Sequence, residues 1–125
     1  MPKKPTRKTL ITKLDKVFSE YIRRKDAKND IATCVTCGKK DHWKNLQNGH
    51  FMSRKHYATR WLEDNVGVQC SACNVFRYGE QYLFAKHLGE KKADELLAKS
   101  RQTVKFTDHD IQDMIDLYKT KISLL

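Results

Sequence analysis

Residues 70–74 are CSACN and residues 34–38 are CVTCG, two cysteine pairs around which the rest of the chain is organised. Each Cys-x-x-Cys turn directs two sulfurs to one point, and two such turns separated by 32 residues can complete a tetrahedral Zn²⁺ site. The first is a Cys-x-x-Cys-Gly turn. The second stands at the start of a helix, where the macrodipole favours thiolates. The expected centre is a treble-clef-like arrangement with a structural zinc on Cys34, Cys37, Cys70 and Cys73. A redox role would set a single Cys-x-x-Cys beside a βαβ pattern, which is absent, and two disulfides would need an oxidising compartment. A four-cysteine site has no open coordination position, so this zinc would supply scaffold and no chemistry.

Outward from the cysteines the chain is mostly helical in pattern. Residues 1–8 carry two prolines and four basic side chains and read as a flexible basic arm that could follow a phosphate backbone. From Thr9, residues Leu10, Leu14, Val17, Phe18, Tyr21 and Ile22 recur at helical spacing, which predicts a helix over 9–27 with a basic C-terminal end. Between the cysteine pairs, Trp43 to Met52 alternates weakly and predicts a strand. A second strand, NVGVQ at 65–69, leads into Cys70. From Ser71 the pattern predicts a helix interrupted near Gly79 and stopped by Gly89, followed by a short amphipathic helix over 90–99. Thr107 with Asp108 and Asp110 forms an N-terminal cap for a last helix, whose stripe is Ile111, Met114, Ile115, Tyr118 and Ile122. The fold class is therefore α+β and mainly helical: one domain over 9–125, with a zinc-bound ββα core at 34–88 and C-terminal helices at 90–125.

The chain has 125 residues, 32% of them charged, and a formal net charge of +10. Its expected partner is a polyanion, and nucleic acid comes before a membrane surface because no stretch pairs a basic face with a lipid-seeking apolar one. No apolar run approaches the length of a membrane span, and the start, MPKKPTRKT, lacks the apolar segment of a signal peptide. A cytoplasmic address is expected.

The stretch QNGHFMSR at 47–54 adds a histidine between the pairs. With four cysteines filling the zinc, His50 is either a core filler or a chemical group, and Gly49 before it permits close backbone approach. Taken singly, a structural histidine is the better reading, as a turn residue is for Asn65 and a helix-start residue for Asn74. Taken together, His50, Asn65 and then Cys70-x-x-Cys73-Asn74 follow the order found in His-Me finger, or HNH, nucleases, whose ββα-metal unit this segment resembles. The likeness is closest to phage recombination proteins of the NinG (Rap) family. It is carried by KLDKVFSEYIRRKDA, CVTCG, NGHFMSRKHYATRW, DNVGVQCSACN and GEQY, from the first helix to the last. A more distant resemblance is to phage endonuclease VII, which also has an asparagine directly after its second Cys-x-x-Cys.

The resemblance implies a metal-dependent DNA endonuclease in phage recombination. Its expected substrates are branched intermediates such as Holliday junctions and D-loops, in the host cell cytoplasm, with a homodimer and other recombination proteins as candidate partners. Phosphodiester hydrolysis needs a base to activate water and a cation to offset charge on the phosphate. A neutral imidazole with a pKa near roughly 6.5 suits the first task, which makes His50 the candidate base. Mg²⁺ or Mn²⁺ takes hard oxygen ligands, and the Asn74 side chain is the candidate. By analogy with the family, Asn65 would hold the His50 loop through its backbone. One departure stands out: many of these nucleases carry an acid just before the base histidine, where this chain has Gly49. Glu80 is a candidate for the missing oxygen. Arg54, Lys55, Arg60 and Arg77 are candidate phosphate ligands. Tyr57 and Trp61 either stack on bases or pack beneath the zinc loop, and His56 is the histidine nearest in sequence to His50. The alternative reading is a zinc-stapled nucleic-acid-binding module without catalysis, in which charge supplies the affinity and His50 is dispensable.

Overall fold

The computed structural model describes residues 3–125, so the first two residues of the expected arm lie outside it. Helix α1 spans Arg7–Lys25. It starts two residues earlier than the periodicity suggests, because the Thr6 hydroxyl accepts the Thr9 amide and caps the first turn. Its buried row, Leu10, Leu14, Phe18 and Ile22, steps by four and forms one side of the core.

Strands β1 (Ile31–Thr33) and β2 (Lys40–His42) form an antiparallel hairpin that encloses the first cysteine turn. Strands β3 (Gln47–His50) and β4 (Val66–Gln69) form a second antiparallel pair, with His50 opposite Val66 and Gly49 opposite Gly67. The strand expected over 43–52 is shorter than its pattern, since Trp43–Asn45 turns as a 3₁₀ segment before β3 begins. The link between β3 and β4 carries a one-turn helix α2 (Tyr57–Arg60) and a 3₁₀ turn at Glu63–Asn65. Strand β4 is buried along its whole length, and the Val35 amide of the first cysteine turn donates to its Val68 carbonyl at 2.8 Å. A Cβ at Gly67 would come 3.1 Å from the Val35 side chain, so the glycine allows the turn to lie against the strand.

After Cys70 the chain winds as π-helix over Ala72–Phe76, then forms α3 (Gln81–Leu88) and α4 (Glu90–Ser100). The last helix, α5 (Asp108–Ser123), has a full capping box between Thr107 and Asp110. It runs beside α1 in the same direction. Arg7 pairs with Asp108 at 3.0 Å near the two starts, and Phe18 meets Tyr118 edge-on at 4.9 Å farther along. Leu14, Phe18 and Ile22 of α1 close the core against Ile111, Ile115 and Tyr118 of α5 and against Leu46, Trp61, Val66 and Val68. Among the described residues, no helix is long and apolar enough to cross a membrane.

Candidate metal centre and active-site cleft

The two cysteine turns converge. The sulfurs of Cys34, Cys37, Cys70 and Cys73 all lie within 4.8 Å of one another, with Cys37 and Cys70 at 3.6 Å, and none is in a disulfide. Zinc–sulfur bonds of about 2.3 Å in a tetrahedron set sulfurs roughly 3.8 Å apart, so the donor set fits Zn²⁺. The four sulfurs also alter one another's ionisation. Burial opposes ionisation of Cys34, but the Thr36 hydroxyl and backbone amides outweigh it and draw the thiol down to about 6. Against the Lys39 amide, which lowers it, burial and the neighbouring thiols push Cys37 up to about 12. Thiolates this close repel one another, and a divalent ion among them removes the conflict.

His50 ends β3 on the wall of a cleft of about 730 Å³, which is lined also by Asp15, Arg23, Asn48, Arg54 and Asn74. Its Nε2 lies 2.9 Å from the backbone carbonyl of Arg60. A carbonyl oxygen can only accept, so Nε2 carries the proton and Nδ1 carries the lone pair. Burial lowers the His50 pKa from its usual value, and the Arg60 carbonyl only partly opposes this. The ring is therefore a neutral imidazole at pH 7, with a defined tautomer.

Asn65 is fully buried and spends its whole amide on the loop after β3. Its Oδ1 accepts from the Met52 amide at 2.8 Å, and its Nδ2 donates to the carbonyls of Met52 and Thr59, each at 3.0 Å. Its backbone carbonyl accepts from the Phe51 amide at 2.8 Å. Asn74 follows the second cysteine pair directly and also lines the cleft. Its Nδ2 donates to Gln47 Oε1 at 2.8 Å, which leaves Oδ1 as a hard oxygen for a cation. Asn48, two residues before His50, has a buried Oδ1 with no hydrogen-bond partner and lines the same cleft.

The missing acid at position 49 has a steric cause. A Cβ there would fall 1.9 Å from Oε1 of Gln69, whose buried amide donates to the Thr36 hydroxyl and the Gly79 carbonyl. Glu80, the candidate replacement, precedes α3 in a left-handed conformation and is not among the residues lining the cleft. Asp15 of α1 is the acid that lines it. Its carboxylate takes Arg60 Nη2 at 2.5 Å, Arg60 Nε at 3.2 Å and Trp61 Nε1 at 2.9 Å.

Arg60 is thereby occupied within the protein and does not offer a free fork to phosphate. Of the other expected phosphate ligands, Arg54 is exposed and lines the cleft. Lys55 sits in a separate shallow hollow beside His56 and Tyr57, and Arg77 is exposed with Nη1 3.9 Å from Cys73 Sγ. Trp61 is buried against Phe106, with ring centroids 5.6 Å apart, and the Tyr57 ring lies 5.6 Å from it. Packing, and not base stacking, is the use of Trp61.

Asp15 and Arg23 escaped the reading of the sequence. Their signal was a polar row on α1, Asp15, Ser19 and Arg23, one position along from the buried row Leu14, Phe18 and Ile22. Arg23 binds the Ser19 hydroxyl at 3.1 Å and the Trp43 carbonyl at 3.3 Å, so it ties α1 to the approach to β3.

A family model described as bacteriophage lambda NinG protein matches residues 3–125. No curated protein and no solved structure matches the chain.

Proposed function

The chain belongs to the bacteriophage lambda NinG family, and from that premise we propose that it is a metal-dependent DNA endonuclease of the His-Me finger type. Its substrates are branched recombination intermediates such as Holliday junctions and D-loops, in the cytoplasm of the phage host. The observation that carries this reading is the state of His50. Its Nε2 is committed to the Arg60 carbonyl, its Nδ1 lone pair is available, and the ring is neutral in a cleft shared with Asn74.

In this mechanism His50 Nδ1 takes the proton from a water whose oxygen bonds to phosphorus, while the P–O bond to the sugar of one strand end breaks and that departing oxygen takes a proton from solvent water. Asn65 keeps the loop after β3 in place, so the ring does not wander from the cleft. The side-chain oxygens of Asn74 and Asn48 are the donors suited to Mg²⁺ or Mn²⁺, which when bound would offset charge on the phosphate. Arg54 and Arg23 add fixed positive charge along the cleft, as expected for phosphate binding. The hairpin β3–β4, followed by the helical turn that starts at Ala72, supports a treble-clef ββα reading of the core. A homodimer would present two clefts to the paired strands of a junction.

His50→Ala tests the proposal. It should abolish cleavage, while zinc content and DNA affinity stay near those of the parent protein. Undiminished cleavage would remove His50 from the chemistry and turn attention to His56. The rival reading, a non-catalytic zinc-stapled binder, draws on the +10 charge. It predicts salt-sensitive DNA binding that the same substitution does not disturb, and no cutting by either protein.

A further inference from the structure

The segment between Cys73 and the middle of α3 holds large apolar side chains in water. Phe76 is 77% exposed, Tyr78 89%, Tyr82 71% and Val75 54%. Single exposed apolar residues are ordinary on a soluble surface, whereas a contiguous group marks a contact site. One member of the group, Tyr78, lines the His50 cleft together with His50 and Asn74, and Phe76 and Tyr82 flank it along the chain.

The segment is anchored from below. The Gly79 amide donates to the Cys73 carbonyl at 2.8 Å, and the Gly79 carbonyl accepts from buried Gln69 Nε2 at 2.8 Å. Tyr78 and Glu80 hold left-handed backbone conformations at φ 53° and 51°, on either side of Gly79 at 87°. Side-chain-bearing residues disfavour that region and stay there only when their surroundings hold them, a pattern concentrated at binding and catalytic sites. The outcome is a ring displayed outward on a backbone tied to the zinc turn. Rigid display lowers the entropy lost on binding.

The charge around the rings selects the partner. Exposed Arg77 lies between Phe76 and Tyr78, and Lys86 Nζ sits 4.7 Å over the Tyr82 ring, against one acid, Glu80, in the same stretch. Aromatic faces interleaved with cations suit nucleic acid, with bases on the rings and phosphates on the cations. In an intact duplex the base faces are stacked on one another and closed to a side chain, so such a platform finds its ligand only where strands part.

We propose that Phe76, Tyr78 and Tyr82 form a stacking platform for unpaired DNA bases beside the His50 cleft, and that this platform gives the protein its preference for branched over fully paired DNA. The proposal rests on the nuclease reading for its ligand, DNA, and not for any cutting step.

The test compares the full chain with Phe76→Ala/Tyr78→Ala and with the conservative pair Phe76→Tyr/Tyr78→Phe, all checked for zinc content. Binding is measured without added Mg²⁺ or Mn²⁺, on a duplex and on a flapped duplex whose unpaired bases at the fork are 2-aminopurine. The parent and the conservative pair should change the 2-aminopurine fluorescence and bind the flapped DNA more tightly than the duplex. The alanine pair should lose the fluorescence change and about tenfold or more of its affinity for the flapped DNA, with duplex affinity within about twofold of the parent. If the alanine pair lowers zinc content, Phe76→Ala alone carries the same comparison. An unchanged preference, an equal loss on both DNAs, or a parent protein without preference would overturn the platform. So would loss of a self-association that the parent shows, with base fluorescence unaffected, since the patch would then be a protein contact. A parent that prefers flapped DNA but cuts nothing would overturn the nuclease reading and leave the platform standing. A parent that cuts, with an alanine pair that keeps its preference, would do the reverse.

Discussion

His50 is committed to one tautomer by a single carbonyl, and that commitment makes its proposed role testable by pH. Burial holds its pKa below 6.5, so the neutral base is the major form at pH 7. The rate should rise about tenfold per pH unit while His50 is protonated and level off once pH passes its lowered pKa. A rising limb centred above pH 7 in kcat/KM would contradict this. The same shift bears on stability. A depressed folded-state pKa means that the contribution is intact above the unfolded value, near 6.5, and is lost as pH falls through the folded value. Next to it, Gly49 is required because Gln69 Oε1 occupies the place of a side chain. Gly49→Ala should destabilise the fold by about 1–3 kcal/mol through overpacking. Urea unfolding would show it, and an unshifted midpoint would mean that Gln69 moves aside freely. The candidate roles of His50, Asn65 and Asn74 were legible only as a set, through resemblance. The tautomer was not legible at all, because its determinant is a backbone carbonyl ten residues away, which no side-chain pattern encodes.

At the level of elements, length decided what could be read in advance. Helices α4 and α5 follow apolar stripes of several turns, and Thr107 marks where α5 starts. The hairpin β1–β2 has three residues per strand, too few for alternation to register, and it forms because the first cysteine turn joins its ends. The π-winding at Ala72–Phe76 is likewise invisible to a 3.6-residue period. If the cysteine turns hold these short elements together, Cys70→Ser should lose zinc and cooperative folding together, because metal affinity is folding energy in small zinc domains. A folded, zinc-free variant by circular dichroism and metal analysis would contradict that. The join between α1 and α2 depends on Asp15, which serves both Arg60 and Trp61. Asp15→Ala leaves their donors without an acceptor and should cost about 1–3 kcal/mol in urea unfolding. A loss no greater than that of an ordinary surface substitution would mean that the pair is solvated and adds little.

Over the whole molecule, the cysteine cluster and the walls of the His50 cleft share one core. Helices α1 and α5 pack side by side, and from α5 the Tyr118 hydroxyl and Lys121 ammonium both donate to Glu63, at 3.2 and 2.9 Å, two residues before Asn65. The terminal helices thereby brace the link between β3 and β4, which follows the proposed base. The cysteine turns brace the other wall, where Asn74 follows Cys73. The net charge of +10 is legible in the sequence, but the placing of Arg23 and Arg54 in one cleft depends on tertiary structure. The most direct measurement is cleavage of labelled four-way junction, D-loop, duplex and single-stranded DNA, each with Mg²⁺, with Mn²⁺ and with neither, by the parent protein and by His50→Ala. The expected result is metal-dependent cutting of the branched substrates that disappears in His50→Ala while binding persists. Tight binding with no cutting under any metal, or cutting that survives His50→Ala, would contradict it.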